Sequence, residues 1–250
     1  MSSLLSRQPK RDVSDIDSLD QAIRLSPSDA RAYDIRARSF LKMGRFAEAV
    51  GDFQTAITLR PNDYLLWLRL AYAREKLDDQ PGALVAYREA VHLAPSYATC
   101  HWYLGRLLLR MKAREEAFVE FRRATNTDPE LFPSVINYAW REFGEDADLV
   151  RQAVRPQESS EYLMLAQGFL THGKRSDAMA MYHAAGKNSD AERRLFLAQL
   201  LEAKAYVEAY EVWAVGEGGS TESREGTLSN AGFEGCQSHC FRIRMANTSH

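Results

Sequence analysis

Between residues 28 and 129 large apolar, small and polar residues alternate at helical spacing, and each stretch closes on a proline. Pro27, Pro61, Pro95 and Pro129 fall 34 residues apart. The block closing at Pro61 carries Tyr33, Ala37 and Phe40, then Ala49, Phe53 and Ala56. In the next block these become Trp67, Leu70 and Ala71, then Ala83, Tyr87 and Ala90; in the third, Leu104, Gly105 and Leu108, then Ala117, Phe121 and Ala124. Such spacing puts the large residues on one stripe of a first helix. The small residues let a second helix approach closely, and the aromatic residue of that second helix fills the space between neighbouring units. Proline cannot continue a helix and ends the second one. A pair of helices cannot bury its own apolar faces, so each unit stacks on the next and a continuous core forms along the stack.

The register continues on both sides. "SDIDSLDQAIRLSP" (14–27) reads as a second helix without its first, either a partial unit or a cap, with 1–12 as a flexible N-terminus. After Pro129 the pattern degrades over 130–215. Tyr138 and Ala139 stay in phase, but the second helix of that block is short. Tyr162, Leu165, Ala166, Phe169, Ala178, Tyr182 and Ala185 restore the template as a fifth unit, and Arg193–Trp213 reads as a last pair. Residues 216–250 are rich in Gly, Ser and Asn without helical period, as in a flexible tail. Within it "LSNAGFEG" vaguely resembles the opening of β-sandwich modules in cell-surface proteins, which would make the chain a piece of a larger one.

Period, residue order and residue size together resemble the tetratricopeptide repeat family, whose signature W-x2-L-G-x2-Y, A-x3-F, A, P spans 34 residues. The resemblance implies an all-α, right-handed α-solenoid of stacked antiparallel helix pairs, three regular units over 28–129, and a concave groove lined by the first helices. Carried over position by position, that groove takes Arg31, Asp34, Arg38, Leu41 and Lys42 from the first unit. Leu65, Leu68, Tyr72, Glu75 and Lys76 come from the second, and Thr99, Trp102, Arg106, Leu109 and Arg110 from the third. Ile136 and Trp140, then Leu163, Gln167 and Leu170, would extend it. The candidate ligand-binding residues are Arg38, Lys42, Arg69, Tyr72, Lys76, Trp102, Arg106, Arg110 and Trp140. Co-chaperone members of the family hold a C-terminal carboxylate with a set of Lys, Asn and Arg. The corresponding places here hold Asp34, Arg38, Arg69, Thr99 and Tyr103, and none match.

Charge sharpens this picture. The 250 residues carry a net charge of -2, which argues against a protein built around nucleic acid. A basic inner stripe in a slightly acidic chain is therefore a local feature. It suits a protein or peptide partner with acidic residues and an apolar anchor, since Arg forks onto carboxylates and Trp stacks on planar groups. Self-association through the end units is a further expectation. No apolar run approaches the roughly 20 residues of a membrane span, and the N-terminus lacks a signal-peptide core. The chain as written is thus expected in the cytoplasm, or at the cell envelope if it belongs to a larger protein.

No set of residues points to chemistry. Cys100 and His101 are adjacent and so point about 100° apart on a helix. His101, at the Trp position of the third block, reads as a packing or surface residue. "CQSHC" (236–240) offers three soft ligands in five residues with no fourth partner at finger spacing, a weak metal signal. Neither a phosphate loop nor a nucleophile elbow occurs. The reading is of a non-catalytic protein-protein interaction module without cofactor or metal. The alternative is a scaffolding or regulatory fragment of a larger envelope assembly such as polysaccharide export or pilus building.

Overall fold

The computed structural model describes residues 8–216 apart from 145 and 187. The Cys236, His239 and Cys240 cluster and the module-like fragment at 228–235 lie outside the described residues. Thirteen α-helices and one short 3-10 turn make up the described structure, with no strand among the described residues. The chain divides into two compact units, Met1–Ser189 and Asp190–His250.

In the first unit α1 (Gln8–Leu25) precedes three regular pairs: α2 (Ala30–Lys42) with α3 (Phe46–Leu59), α4 (Tyr64–Lys76) with α5 (Gln80–Leu93), and α6 (Ala98–Arg110) with α7 (Arg114–Thr127). Helix α1 begins earlier than the apolar period predicts, so residues 8–12 are helical rather than part of a tail. Pro9 stands in its first turn, where a missing N–H costs nothing. Arg36 fastens this helix to the stack. Its guanidinium donates to Asp52 of α3 at 2.7 and 2.6 Å and to Asp20 of α1 at 2.6 Å, and these bonds, Asp52 first, raise its basicity.

Local details recur with the 34-residue period. Asp29 and Asp63 cap α2 and α4 by accepting from the N–H groups of Arg31 and Leu65. The turn inside each pair passes through the left-handed region at Gly44, Asp78 and Lys112, with φ of 75°, 60° and 64°. Each second helix ends on a residue outside the helical region, Arg60, Ala94 and Asp128, because the following proline disfavours helical backbone there. The core is the set foreseen from the pattern: Ala49, Phe53, Ala83, Tyr87, Ala117 and Phe121 are fully buried. Gly105 is required by contact, since a Cβ there would lie 2.8 Å from the Phe121 ring.

A 3-10 turn over Pro129–Leu131 leads into α8 (Phe132–Phe143) and the eight-residue α9 (Ala147–Val154). From α7, Arg122 donates to the Ala153 carbonyl at 2.6 Å, reaching across to the end of α9. Burial, then the charge of Arg155, lowers the basicity of Arg122. Helices α10 (Ser159–Thr171) and α11 (Arg175–Ala184) form the next pair. The second unit contains α12 (Asp190–Glu202) and α13 (Tyr206–Gly216), which pack on each other around Phe196, Leu200 and Val212.

Candidate functional site

The first helices α2, α4 and α6 lie side by side, tied by ion pairs that the sequence pattern does not show. Arg69 of α4 donates to Asp34 of α2 at 2.6 Å, and Asp34 also meets Arg38 at 3.4 Å. One unit on, Arg110 of α6 pairs with Glu75 of α4 at 2.9 Å. The other oxygen of Glu75 accepts the Tyr87 hydroxyl at 2.9 Å. Burial, reinforced by Glu75, pushes the Tyr87 phenol up, so it stays a donor.

Of the nine candidate groove residues, Arg38, Arg69 and Arg110 therefore already face carboxylates. Lys42, Lys76 and Arg106 have no carboxylate within 4.0 Å among the described residues. Two of these three are held by aromatic faces instead. Lys76 Nζ stands 5.2 Å from the centre of the Tyr72 ring, and the Arg106 guanidinium 5.6 Å from that of Tyr103. Tyr103 in turn stacks on buried Tyr87 at 6.1 Å with ring planes 4° apart. Tyr103 has no place in the groove template, and its supporting role emerges only from the packing.

The two tryptophans pack against rings of neighbouring helices. Trp102 is half-buried against Phe121 at 5.1 Å and Tyr138 at 5.6 Å, so it joins the third unit to α8. Trp140 stacks on His172 at 3.9 Å with planes 15° apart and touches Phe169. Ile136, Leu163 and Leu170 are buried and belong to the core rather than to a groove lining, as does Leu109. The candidate surface thus narrows to α2, α4 and α6.

Its electrostatics are lopsided. Helices α2, α4 and α6 together carry nine arginines and lysines against two carboxylates, Asp34 and Glu75. Their partners α3, α5 and α7 carry four basic and six acidic residues.

The candidates for chemistry resolve as packing. Cys100 is fully buried, and burial pushes its thiol up to about 11, away from nucleophilic character. His101 replaces a tryptophan in kind: Trp67 Nε1 donates to the Pro61 carbonyl at 2.7 Å, and His101 Nε2 meets the Pro95 carbonyl at 2.8 Å. Its Nδ1 lies 2.6 Å from Glu120, which also holds Arg123. A cleft of about 540 Å³ between α5, α6 and α7 is lined by His92, His101 and Arg123, two of which are already engaged in these bonds. Among the described residues no group of three metal-ligating side chains comes together, and no helix is long and apolar enough to cross a membrane.

Residues 36–98 match the sequence model of the family described as Tetratricopeptide repeat. The Protein SGT1 homolog of Oryza sativa subsp. japonica is 34% identical over 100 residues, which cover 40% of this chain and 25% of that protein. Tetratricopeptide repeat protein 33 of Xenopus laevis is 27% identical over 119 residues, 46% of this chain and 45% of that protein. The chain thus spans less than half the length of either relative. Among solved structures, a crystal structure of MamA superposes with a TM-score of 0.48 at 13% identity, covering 74% of this chain and 94% of that one. A second, MamA 41-end from Desulfovibrio magneticus RS-1, gives a TM-score of 0.46 at 17% identity, covering 70% and 83%. The match over residues 36–98, the 34-residue recurrence of caps, turns and prolines, and the buried Ala/Gly and aromatic signature positions agree: residues 36–98 carry the tetratricopeptide repeat pattern.

Proposed function

We propose that the chain is a non-catalytic binding module that holds a protein segment carrying acidic residues against α2, α4 and α6, the face that is concave in this family. The observation that carries this reading is the concentration of basic charge on those three helices, with Lys42, Lys76 and Arg106 left unneutralised. Desolvated Arg–carboxylate forks are among the stronger anchors at interfaces. Oppositely charged surfaces also speed encounter and select among partners. Tyr72, 37% exposed between the cations, supplies apolar contact area.

Site-directed photo-crosslinking tests the reading. A photoreactive amino acid replaces Tyr72 on the first-helix face or Val85 on the second-helix face of the full chain, which is then irradiated in lysate. The reading expects a discrete adduct from position 72 that disappears when Lys42→Glu, Lys76→Glu and Arg106→Glu are added, with helicity unchanged. An adduct from position 85 that ignores those substitutions would move recognition to the opposite face.

A further inference from the structure

We propose that the exposed side of α13 is a docking surface for this chain's own segment Phe241–Met245, bound in extended form. The inference concerns the second compact unit alone and does not depend on recognition by α2, α4 and α6.

Helix α13 is apolar on two sides. Ala209 and Val212 form its buried side. Tyr206, Val207 and Tyr210 lie on the other, 44%, 80% and 52% exposed, and the Tyr210 ring carries the patch on to Trp213 at 5.8 Å. At helical spacing Tyr206, Tyr210 and Ala214 follow one stripe with Val207 beside it. The last unit of a helical stack normally turns a polar surface outward, and α13 does not. Contiguous exposed apolar surface of this kind marks an interaction site.

Charge and sequence select the occupant. Helix α13 carries two carboxylates, Glu208 and Glu211, and no basic residue. Both fall on the same flank of the exposed stripe. The 34 residues after Gly216 lie outside the described residues, and their composition divides in two. Residues 217–235 hold four glutamates and one arginine; residues 236–250 hold two arginines and no acidic residue. Within the second part Phe241, Arg242, Ile243, Arg244 and Met245 alternate apolar and basic. A strand of that pattern turns Phe241, Ile243 and Met245 to one side.

Spacing agrees with this pairing. Alternate residues of an extended chain stand about 6.6 Å apart, and residues four apart on a helix rise about 6 Å. The three apolar side chains therefore match the rungs Tyr206, Tyr210 and Ala214. Arg242 and Arg244 have long stems that bring their charge over the edge to Glu208 and Glu211. The 24 residues 217–240 are rich in Gly and Ser. A chain of that composition and length spans roughly 25–30 Å, whereas the 11 residues of α13 rise about 16 Å, so the segment can return along the helix. A second copy's α13 suits the surface less, because two facing helices would bring four carboxylates together, and like charges across an interface repel.

The test is photo-crosslinking within the purified full chain. A photoreactive benzoylphenylalanine replaces Tyr210, and adducts formed at low protein concentration are located by mass spectrometry. The expected adduct joins position 210 to 241–245 of the same chain, and Phe241→Ser/Ile243→Ser/Met245→Ser removes it. That variant should also speed amide exchange in α13 at least fivefold, with α2–α7 unchanged. Arg242→Glu/Arg244→Glu, which keeps the apolar side, should speed it about twofold. An adduct between two chains overturns the inference in favour of a second copy. An adduct only to 217–235, or none within the chain, overturns it outright, as does α13 exchange indifferent to these substitutions. None of these readouts needs a partner on α2, α4 and α6, so their failure leaves the binding-module reading untouched.

Discussion

The regular pairs α2–α7 and the pair α8–α9 meet the same packing requirement by different means. In the regular pairs small residues bring backbones together: Ala49, Ala71, Ala83, Gly105 and Ala117 lie buried at the crossings. Neighbouring first helices are then stitched by ion pairs at a constant offset. In α8–α9 the second helix has only eight residues and cannot cover its partner as α3, α5 and α7 do. Long side chains reach across instead. Arg122 extends from α7 to the end of α9, and Trp102 and Trp140 bridge from α6 to α8 and from α8 to α10. Where the repeat is intact, stability comes from close approach; where it is eroded, it comes from reach. A binding face built from aligned helices is available only in the first case.

Phe121 stands at the junction of the two regions and offers the largest test. It packs on Trp102, Phe118 and Tyr138 with ring centroids 5.1, 5.7 and 5.3 Å away. Phe121→Ala is expected to cost about 3–5 kcal/mol in denaturant unfolding. Because stability in a stack is a sum of unit and interface contributions, the transition should also broaden as the two regions uncouple. An unbroadened transition would mean that they do not depend on this contact.

Two glycines sharpen the contrast between approach and reach. A methyl at Gly105 meets the Phe121 ring at 2.8 Å, so Gly105→Ala should cost roughly 1–3 kcal/mol through overpacking. At Gly144 a methyl meets nothing within 4 Å, but φ 62° with ψ −131° is a backbone pairing that suits glycine alone. Gly144→Ala should therefore cost roughly 1–3 kcal/mol through the backbone alone. A neutral Gly105→Ala, measured by thermal or denaturant unfolding beside Gly144→Ala, would show that the close crossing gives way where the turn does not.

Removing reach should act locally. Arg122→Met keeps the aliphatic stem and deletes the bond to the Ala153 carbonyl, a loss of about 1 kcal/mol. Amide exchange should accelerate in α9 before it does in α3 or α5. Lys112 gives the smallest effect. It occupies the left-handed turn position that Gly44 fills two units earlier. Lys112→Gly should stabilise by a few tenths of a kcal/mol, the relief of side-chain strain being partly offset by a more flexible unfolded chain.

These particulars also mark what a sequence can carry. The helix pairs over 28–129 were legible because one set of small and aromatic residues recurs every 34 positions, and local rules for caps, turns and prolines act on neighbouring residues. The basic character of the candidate face was legible for the same reason. Its division into engaged and unneutralised cations was not, because Asp34–Arg69 and Glu75–Arg110 depend on how two units dock. The ring contacts of Trp102 with Tyr138 and of Trp140 with Phe169 were not legible either, because they too depend on how neighbouring helices dock. The start of α1 escaped because its first turns are polar, and helix geometry there leaves no apolar period to read.

The central claim is that recognition belongs to α2, α4 and α6. The most direct measurement compares two variants of the full chain for affinity to the partner captured at position 72. One is Lys42→Ser/Lys76→Ser/Arg106→Ser; the other places three new glutamates on the second helices, Gln54→Glu/Val85→Glu/Val119→Glu, so that each variant changes the net charge by the same amount. With both variants folded, the account predicts at least a hundredfold loss for the first and less than threefold for the second. Equal losses would reduce the effect to overall charge, and a larger loss for the second would place the partner on the opposite face.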